Sequence, residues 1–145
     1  MALKFSTGAR TALCGTQGMK GIFNGGVLDI YSGGQPSSPD YTETGTKLLR
    51  VTVSSGTAGI TFGTAAVGTL PKSADVWSGV IEVAGVAGYF RLYGTGGTSG
   101  SSASEVRMDG NAGVSGADLV LSNSTLTLGA TLTIDEFSLT VPISA

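Results

Sequence analysis

The sequence predicts an all-β protein, an antiparallel β-sandwich with one or two short helices at its N-terminus. Three observations favour this class: 24 glycines in 145 residues, a charged fraction of only 12%, and period-two apolar alternation from residue 27 onward. Frequent glycines supply tight turns, and alternation is the pattern of a half-buried strand. Since no segment reads as a long helix that could cross over a parallel sheet, we expect antiparallel pairing. A jelly-roll-like or barrel-like arrangement is the alternative.

The chain divides into an N-terminal arm of short helices, residues 1–25, and a β-sandwich domain, residues 26–145. In the arm, Ser6 or Thr7 can cap a first helix that runs through Leu13, and Gly15 can end it. A second apolar set recurs with helical spacing and consists of Met19, Ile22 and Phe23. We expect the arm either to pack on its own domain or to reach a neighbouring molecule.

The strands of the domain are predicted from alternation and from the turn residues between them. The clearest patterns cover residues 49–53, 76–83 and 89–93, and shorter ones cover residues 27–31, 60–62, 105–108 and 117–121. We interpret the glycine-rich stretch at residues 94–100 as a flexible hairpin tip. The pair Asp109-Gly110 is interpreted as a tight turn.

Near the C-terminus, the apolar residues change from even to odd positions. The even set comprises Leu126, Leu128, Leu132 and Ile134, and the odd set comprises Phe137, Leu139, Val141 and Ile143. One continuous strand cannot bury both sets, because a shift of one residue turns every side chain to the other face. We therefore predict a β-bulge or a corner between two sheets at Asp135 and Glu136, with this carboxylate pair near the surface.

Composition removes most catalytic and metal chemistry. The chain has no His and a single Cys, Cys14, which excludes Ser-His-Asp and Cys-His catalysis and every His-containing metal site. We expect no enzymatic activity, no cofactor and no metal. Cys14 is expected to be a small, half-buried apolar residue.

Charge and hydropathy bear on the partners of the chain. Eight Lys and Arg are spread singly against ten Asp and Glu, so we expect no direct binding to nucleic acid, which needs clustered cations. The richest apolar stretch, residues 80–93, contains two charged residues and is too short to span a bilayer. We expect no membrane partner, and folding in a cytoplasm.

Two segments are candidate partner surfaces. In residues 89–93, the side chains of Tyr89, Arg91 and Tyr93 share the face opposite Phe90 and Leu92, and we expect that face to point outward. The long polar loop at residues 33–46 is stiffened by two prolines and has no catalytic residue types. Its candidate contact residues are Gln35, Pro36, Pro39 and Tyr41.

Three stretches, residues 26–53, 75–93 and 106–142, carry a family resemblance. Their recurring pieces are a strand ending Ile-Tyr-Ser-Gly, a Glu-Thr-Gly-Thr before the next strand, a Trp-Ser-Gly strand and a Gly-Ala-Asp-Leu run. The chain resembles small structural proteins of tailed bacteriophages, of the kind assigned as capsid decoration (cement) or minor head proteins. The resemblance covers most of the chain and is weakest over residues 1–25.

The resemblance implies a non-enzymatic β-domain that forms a homodimer or homotrimer. It further implies synthesis in the cytoplasm of a bacterial host and docking on the exterior of the capsid, against the expanded lattice of the major capsid protein. The candidate docking residues are in the N-terminal arm: Phe5, Arg10, Leu13, Met19, Ile22 and Phe23. The alternatives are a tail, collar or fibre-associated domain, and a host-glycan-binding module that uses Tyr89, Arg91 and Tyr93.

Overall fold

A computed structural model describes residues 3–15 and 17–140 of the chain. They form two helices and eleven strands. In chain order these are β1 (Lys4–Phe5), α1 (Thr7–Cys14), α2 (Met19–Phe23), β2 (Val27–Ser32), β3 (Lys47–Val53), β4 (Thr69–Pro71), β5 (Trp77–Val80), β6 (Gly85–Tyr93), β7 (Arg107–Gly113), β8 (Leu119–Val120), β9 (Thr125–Leu126), β10 (Thr131–Ile134) and β11 (Ser138–Thr140).

Nine strands form one large sheet, and the other two form a small one. The main path of the large sheet is β1-β7-β6-β2-β3-β5-β10, with β8 beside β7 and β9 beside β6, and the small sheet pairs β11 with β4. All pairings are antiparallel except that of β7 with β8. The predicted class, an all-β sandwich with short N-terminal helices, is confirmed.

The two sheets share one hydrophobic core. Leu70 of β4 and Leu139 of β11 belong to the same buried cluster as Trp77 and Phe90 of the large sheet. Phe137 lies between the sheets, with its ring centroid 5.8 Å from that of Trp77 and 5.6 Å from that of Phe90. Aromatic contacts of this kind add to the free energy gained by burying the rings.

The predicted corner is present between Ile134 and Phe137. Strand β10 pairs with β5 in the large sheet, whereas β11 pairs with β4 in the small sheet. Leu132 and Ile134 are buried before the break, and Phe137 and Leu139 are buried after it. Asp135 and Glu136 are exposed, as predicted. Leu128 departs from the prediction, since it lies in a turn and is 65% exposed. The predictions for Val141 and Ile143 lie outside the described residues.

The N-terminal arm is built into its own domain. Of the two predicted caps, Ser6 is the one that caps α1, by accepting a hydrogen bond from the backbone N–H of Ala9 at 3.0 Å. The same hydroxyl oxygen accepts the N–H of Arg107 at 2.9 Å, and Lys4 pairs with Asp109 as β1 adds to the edge of β7. Cys14 is exposed at the end of α1, so the expectation of a half-buried cysteine was wrong.

Two sequence interpretations were wrong because tertiary packing prevails over local preference. Residues 108–113 belong to β7 and form no turn. Gly110 is required there for close packing, since a Cβ atom would lie 2.7 Å from the ring of Phe90 on the neighbouring strand. The segment at residues 60–62 is no strand, and Phe62 makes only an isolated bridge to Lys72.

Candidate functional site

The outer face of the large sheet is polar and buried where it is formed by β2, β6 and β7. We call this surface the covered polar face, and it comprises the side chains of Asp29, Tyr31, Tyr89, Arg91, Tyr93, Arg107 and Asp109, none more than 4% exposed. The expectation that Tyr89, Arg91 and Tyr93 form an exposed partner surface was therefore wrong. The physical reason is that loops distant in sequence cover the strands on this side.

Opposite charges alternate across this face and continue onto the neighbouring strand β3. The register places Arg50 beside Asp29, Asp29 beside Arg91, and Arg91 beside Asp109. Arg50 donates two hydrogen bonds to Asp29, at 2.8 and 2.9 Å, and Arg91 donates two to Asp109, at 2.7 and 2.9 Å. Such two-point contacts are the strongest form of ion pair in proteins. Burial opposes the charge of Arg91, but the hydrogen bonds and charge of Asp109 raise its pKa.

Glu43, in the loop at residues 33–46, covers the polar face and contacts the side chains of Arg91 and Tyr93. Its carboxylate accepts hydrogen bonds from the Arg91 guanidinium at 3.0 Å, the Tyr93 hydroxyl at 2.6 Å and the Gly100 N–H at 2.9 Å. Burial alone would raise the pKa of Glu43, but these three donors hold it below its ordinary value. An ionised Glu43 thus joins residues 33–46 to both β6 and the loop between β6 and β7.

The tyrosines of the covered polar face form a second part of the network. The Tyr31 and Tyr93 hydroxyls are 2.9 Å apart, and the Tyr31 and Tyr89 rings stack with centroids 5.0 Å apart. The Tyr89 hydroxyl donates to the carbonyl of Thr44 and accepts its N–H, at 2.7 and 2.9 Å. Burial raises the pKa of Tyr31, Tyr89 and Tyr93, so these hydroxyls stay protonated and act as structural donors.

The loop is also fastened to α1 and to Arg107. Asp40 accepts hydrogen bonds from the N–H of Thr7 at 2.8 Å and from its hydroxyl at 2.5 Å, at the start of α1. Burial would raise the pKa of Asp40, but the two Thr7 bonds lower it. Arg107 donates to the carbonyl of Pro39 at 3.2 Å. The covering loop is therefore an ordered part of the domain, held at Pro39, Asp40, Glu43 and Thr44.

These contacts leave little of the predicted loop surface available. Pro36 and Pro39 are buried, and Gln35 is half-buried. Tyr41 is 57% exposed and is the predicted contact residue of this loop that projects into solvent.

The predicted docking residues of the N-terminal arm differ in burial. Ile22 and Phe23 are buried in the domain core, where they make the core-capping contribution that was the alternative to docking. Arg10 is exposed, and Phe5, Leu13 and Met19 are half-buried against the core. Met19 is the one that borders an open groove.

That groove is apolar and has a volume of about 320 Å³. It lies between α2 and the small sheet, and its lining residues include Met19, Lys20, Ala65, Thr69, Leu70 and Leu139. Beside it, the hairpin turn at residues 66–69 is closed by two backbone hydrogen bonds of 3.0 Å. Val67 projects fully into solvent from the tip of this turn.

Val67 has an unusual backbone conformation. Its φ is +52°, and the following Gly68 has φ +71°, which together give the turn preferred in two-residue hairpins. Asn, Asp or Gly ordinarily occupies such a position, because a β-branched side chain is strained there. We call Val67 together with the groove the knob-and-groove surface.

Sequence reasoning missed Glu43, Asp109 and Val67. For Asp109, a signal was present in its place beside a predicted strand, since a carboxylate in a strand of a chain with few charges is expected to have a partner. Glu43 lies in a polar loop, where the sequence carries no such signal. For Val67, the signal was the following Gly68 between two short apolar runs, which is typical of a hairpin turn.

The acidic side chains of the described part of the chain do not gather into a metal site. Within residues 3–15 and 17–140, no group of three or more His, Cys, Asp or Glu side chains is placed to hold a metal ion. Asp135 and Glu136 line an open surface groove of about 480 Å³ with Lys72. The two helices described are both too short to cross a membrane. No family model, curated protein or solved structure was found to match the chain.

Proposed function

We propose that the protein is a structural component of a tailed-phage virion, a capsid decoration protein. In this role it binds the expanded lattice of the major capsid protein and stabilises the DNA-filled head. The observation that carries the proposal is the knob-and-groove surface, which combines an apolar groove with a fully exposed Val67. The resemblance of three long stretches of the chain to phage head proteins supports the same role.

The knob-and-groove surface has the properties of a docking site. Strained residues cost roughly 1–3 kcal/mol each and persist where the surrounding structure or a function requires them. An apolar side chain held in such a conformation at a hairpin tip is better explained by a partner than by the fold. The apolar lining of Met19, Leu70 and Leu139 suits an apolar segment of the capsid protein.

The rest of the domain supports this role by being rigid. The covering loop is held by Glu43 and Asp40, so the domain brings a preformed surface to its partner and loses little conformational entropy on binding. Modest contacts per copy then add up over many symmetry-related positions on a shell.

The alternative role of a host-glycan-binding module was suggested by an exposed face of Tyr89, Arg91 and Tyr93. These three side chains are buried, so that suggestion no longer has support. A tail, collar or fibre-associated domain would use the same knob-and-groove surface. The number of copies per virion separates the two structural roles, since decoration requires hundreds of copies. Quantitative mass spectrometry of purified virions measures this number, and a few dozen copies or fewer would favour the tail, collar or fibre role.

The binding test uses expanded, undecorated capsids mixed with purified protein. We expect saturable binding at a fixed ratio to the major capsid protein, measured by co-sedimentation. Val67→Asn should weaken binding at least tenfold, while the fold gains up to about 1 kcal/mol because Asn tolerates positive φ. Val114→Asn is the matched control, since Val114 is 55% exposed and lies outside the groove.

Two outcomes would contradict the proposal. Absence of binding to shells, together with binding to tails, would overturn the decoration role. Equal binding by the Val67→Asn and Val114→Asn variants would show that another surface docks. Point variants are needed here because deletion of residues 1–25 would also remove Ala9, Ile22 and Phe23 from the core.

A further inference from the structure

The large sheet ends in two edge strands that differ in how they are protected. At one end, β1 has only two residues, and Lys4 reaches across it to the carbonyl of Ser37 at 3.2 Å. At the other end, β10 comprises residues 131–134, Thr-Leu-Thr-Ile, with no charge and no proline. Short strands, lysines and prolines are the usual devices that stop an edge from pairing with another chain. Strand β10 lacks the lysine and the proline.

The free hydrogen-bonding groups of β10 can be assigned from its neighbours. The carbonyl of Ala130 accepts the N–H of Ile81, so Ala130 points its carbonyl toward the β5 side. Backbone groups alternate in direction along an antiparallel strand. Thr131 and Thr133 therefore direct their N–H and C=O groups away from β5. In the described part of the chain, β10 pairs with β5 alone.

We propose that β10 pairs antiparallel with β10 of a second copy of this chain, about a two-fold axis, so that two large sheets become one. The strand is self-complementary in this arrangement. With Leu132 opposite Leu132 of the second copy, each Thr131 lies opposite a Thr133, and threonines stay on the outer face. Apolar residues remain on the core face, where Leu132 and Ile134 are already buried.

The charges beside β10 select this orientation. Asp135 and Glu136 follow the strand directly and are both exposed. Antiparallel pairing places the acidic pairs of the two copies at opposite ends of the joint, whereas parallel pairing would place them side by side and repel. The Thr-Thr pairs across the joint are favourable in sheets.

The joint is small, so the dimer should be reversible and depend on protein concentration. The proposal does not rest on the virion role, because it concerns the edge of β10 and not the knob-and-groove surface. Failure of shell binding would thus leave it untouched, and failure of dimerisation would leave the docking proposal untouched.

Sedimentation equilibrium over a wide range of protein concentrations tests the proposal. We expect a monomer–dimer equilibrium whose dissociation constant rises at least about tenfold in Thr133→Pro, which removes an outward N–H in both copies. Proline is tolerated at such an edge position because no bond to β5 is lost. The control Thr133→Ala keeps the N–H and loses only the Thr-Thr pairs, so its dissociation constant should rise much less than that of Thr133→Pro.

Hydrogen exchange provides a second measurement that needs no variant. The amides of Thr131 and Thr133 should become protected as the protein concentration rises, whereas those on β1 should not change. A monomer at every concentration would overturn the proposal, and so would equal dimerisation of Thr133→Pro and Thr133→Ala. Rings larger than dimers with protected β1 amides would show that β10 pairs with β1 of the next copy instead.

Discussion

The outer face of the large sheet carries polar side chains in both halves, yet the halves have opposite surroundings. On β2, β6 and β7, side chains such as Arg91 and Asp109 are fully buried beneath loops. On β5 and β10, Val80 is 48% exposed and Thr131 and Thr133 face solvent. Period-two alternation thus identifies which side chains share a face. It does not tell whether that face meets water, because a covering loop decides this.

The difference has an energetic consequence. In the covered half, each charge has lost its hydration and depends on its partners, so removing one partner leaves another charge buried and uncompensated. In the open half, water replaces any partner that is lost. Substitutions of similar chemistry should therefore have very different effects in the two halves.

The largest effect is expected from Arg91→Ala. This change leaves the buried carboxylate of Asp109 without its two-point donor and Glu43 without its ion-pair partner, and it should lower the free energy of unfolding by roughly 3–5 kcal/mol. Urea denaturation measures the change. The control is Glu82→Gln, since the Glu82–Lys47 pair is exposed and 3.9 Å long, and its loss should cost less than about 1 kcal/mol.

Should Arg91→Ala fail to fold, Arg91→Lys keeps the charge but loses the two-point contact with Asp109. It should still be clearly less stable than the Glu82→Gln variant. Equal free energies of unfolding for Arg91→Lys and Glu82→Gln would mean that a buried ion pair of the covered polar face contributes no more to stability than an exposed one.

A smaller effect is expected from Glu43→Gln. The amide keeps the shape but loses the charge that accepts three hydrogen bonds, so we expect a loss of about 1–3 kcal/mol in unfolding free energy. Hydrogen exchange should become faster in residues 33–46 and stay unchanged in β10. Uniform acceleration throughout the chain would contradict the idea that Glu43 fastens this loop.

The stability of the protein should fall in acid, because protonation removes the charges with which Glu43 and Asp40 accept their hydrogen bonds. The pKa values of Glu43 and Asp40 are lowered by their hydrogen bonds in the folded state, so the unfolded state binds protons first as the pH falls. Their contribution is complete above about pH 4.5 and is lost as the pH falls through the lowered values. Denaturation midpoints between pH 7 and pH 3 should fall less steeply in Glu43→Gln, and parallel profiles would contradict this assignment.

The smallest effect belongs to the open half. Val80→Thr exchanges one β-branched residue for another on an exposed face and should alter the unfolding free energy by less than about 0.5 kcal/mol. Thermal unfolding measures this. A loss comparable to that of Glu43→Gln would show that a further segment covers β5.

Much of the fold was predictable because local signals and tertiary structure agree. Ser6 directly precedes the short amphipathic helix that it caps. The change of buried positions from even to odd numbers at Asp135 and Glu136 requires a corner, because one continuous strand cannot bury both sets. Both signals operate over a few residues. The placement of Phe90 and Trp77 in the core follows from alternation in the same way.

The covered polar face was not predictable because its contacts join distant parts of the chain. Glu43 meets Arg91 from 48 positions away in sequence, and no pattern within either segment announces the other. The Asp109-Gly110 pair was misread for the opposite reason, because its local signal for a turn is strong and its tertiary contacts favour a strand. Asp109 forms a salt bridge with Arg91 on one face of β7, and Gly110 packs against the Phe90 ring on the other. Val67 was missed because a β-branched residue rarely adopts the positive φ that this hairpin turn requires.

The pairing of β1 with β7 also orders events in time. The bond between Ser6 and the N–H of Arg107 joins residues 101 apart in sequence. At a synthesis rate of about 5–20 residues per second, the N-terminal strand waits roughly 5–20 s on the ribosome before its partner emerges. Long-range pairing is slow to form in any case. Among the described strands, β1 is thus the one that waits longest for its partner to be synthesised.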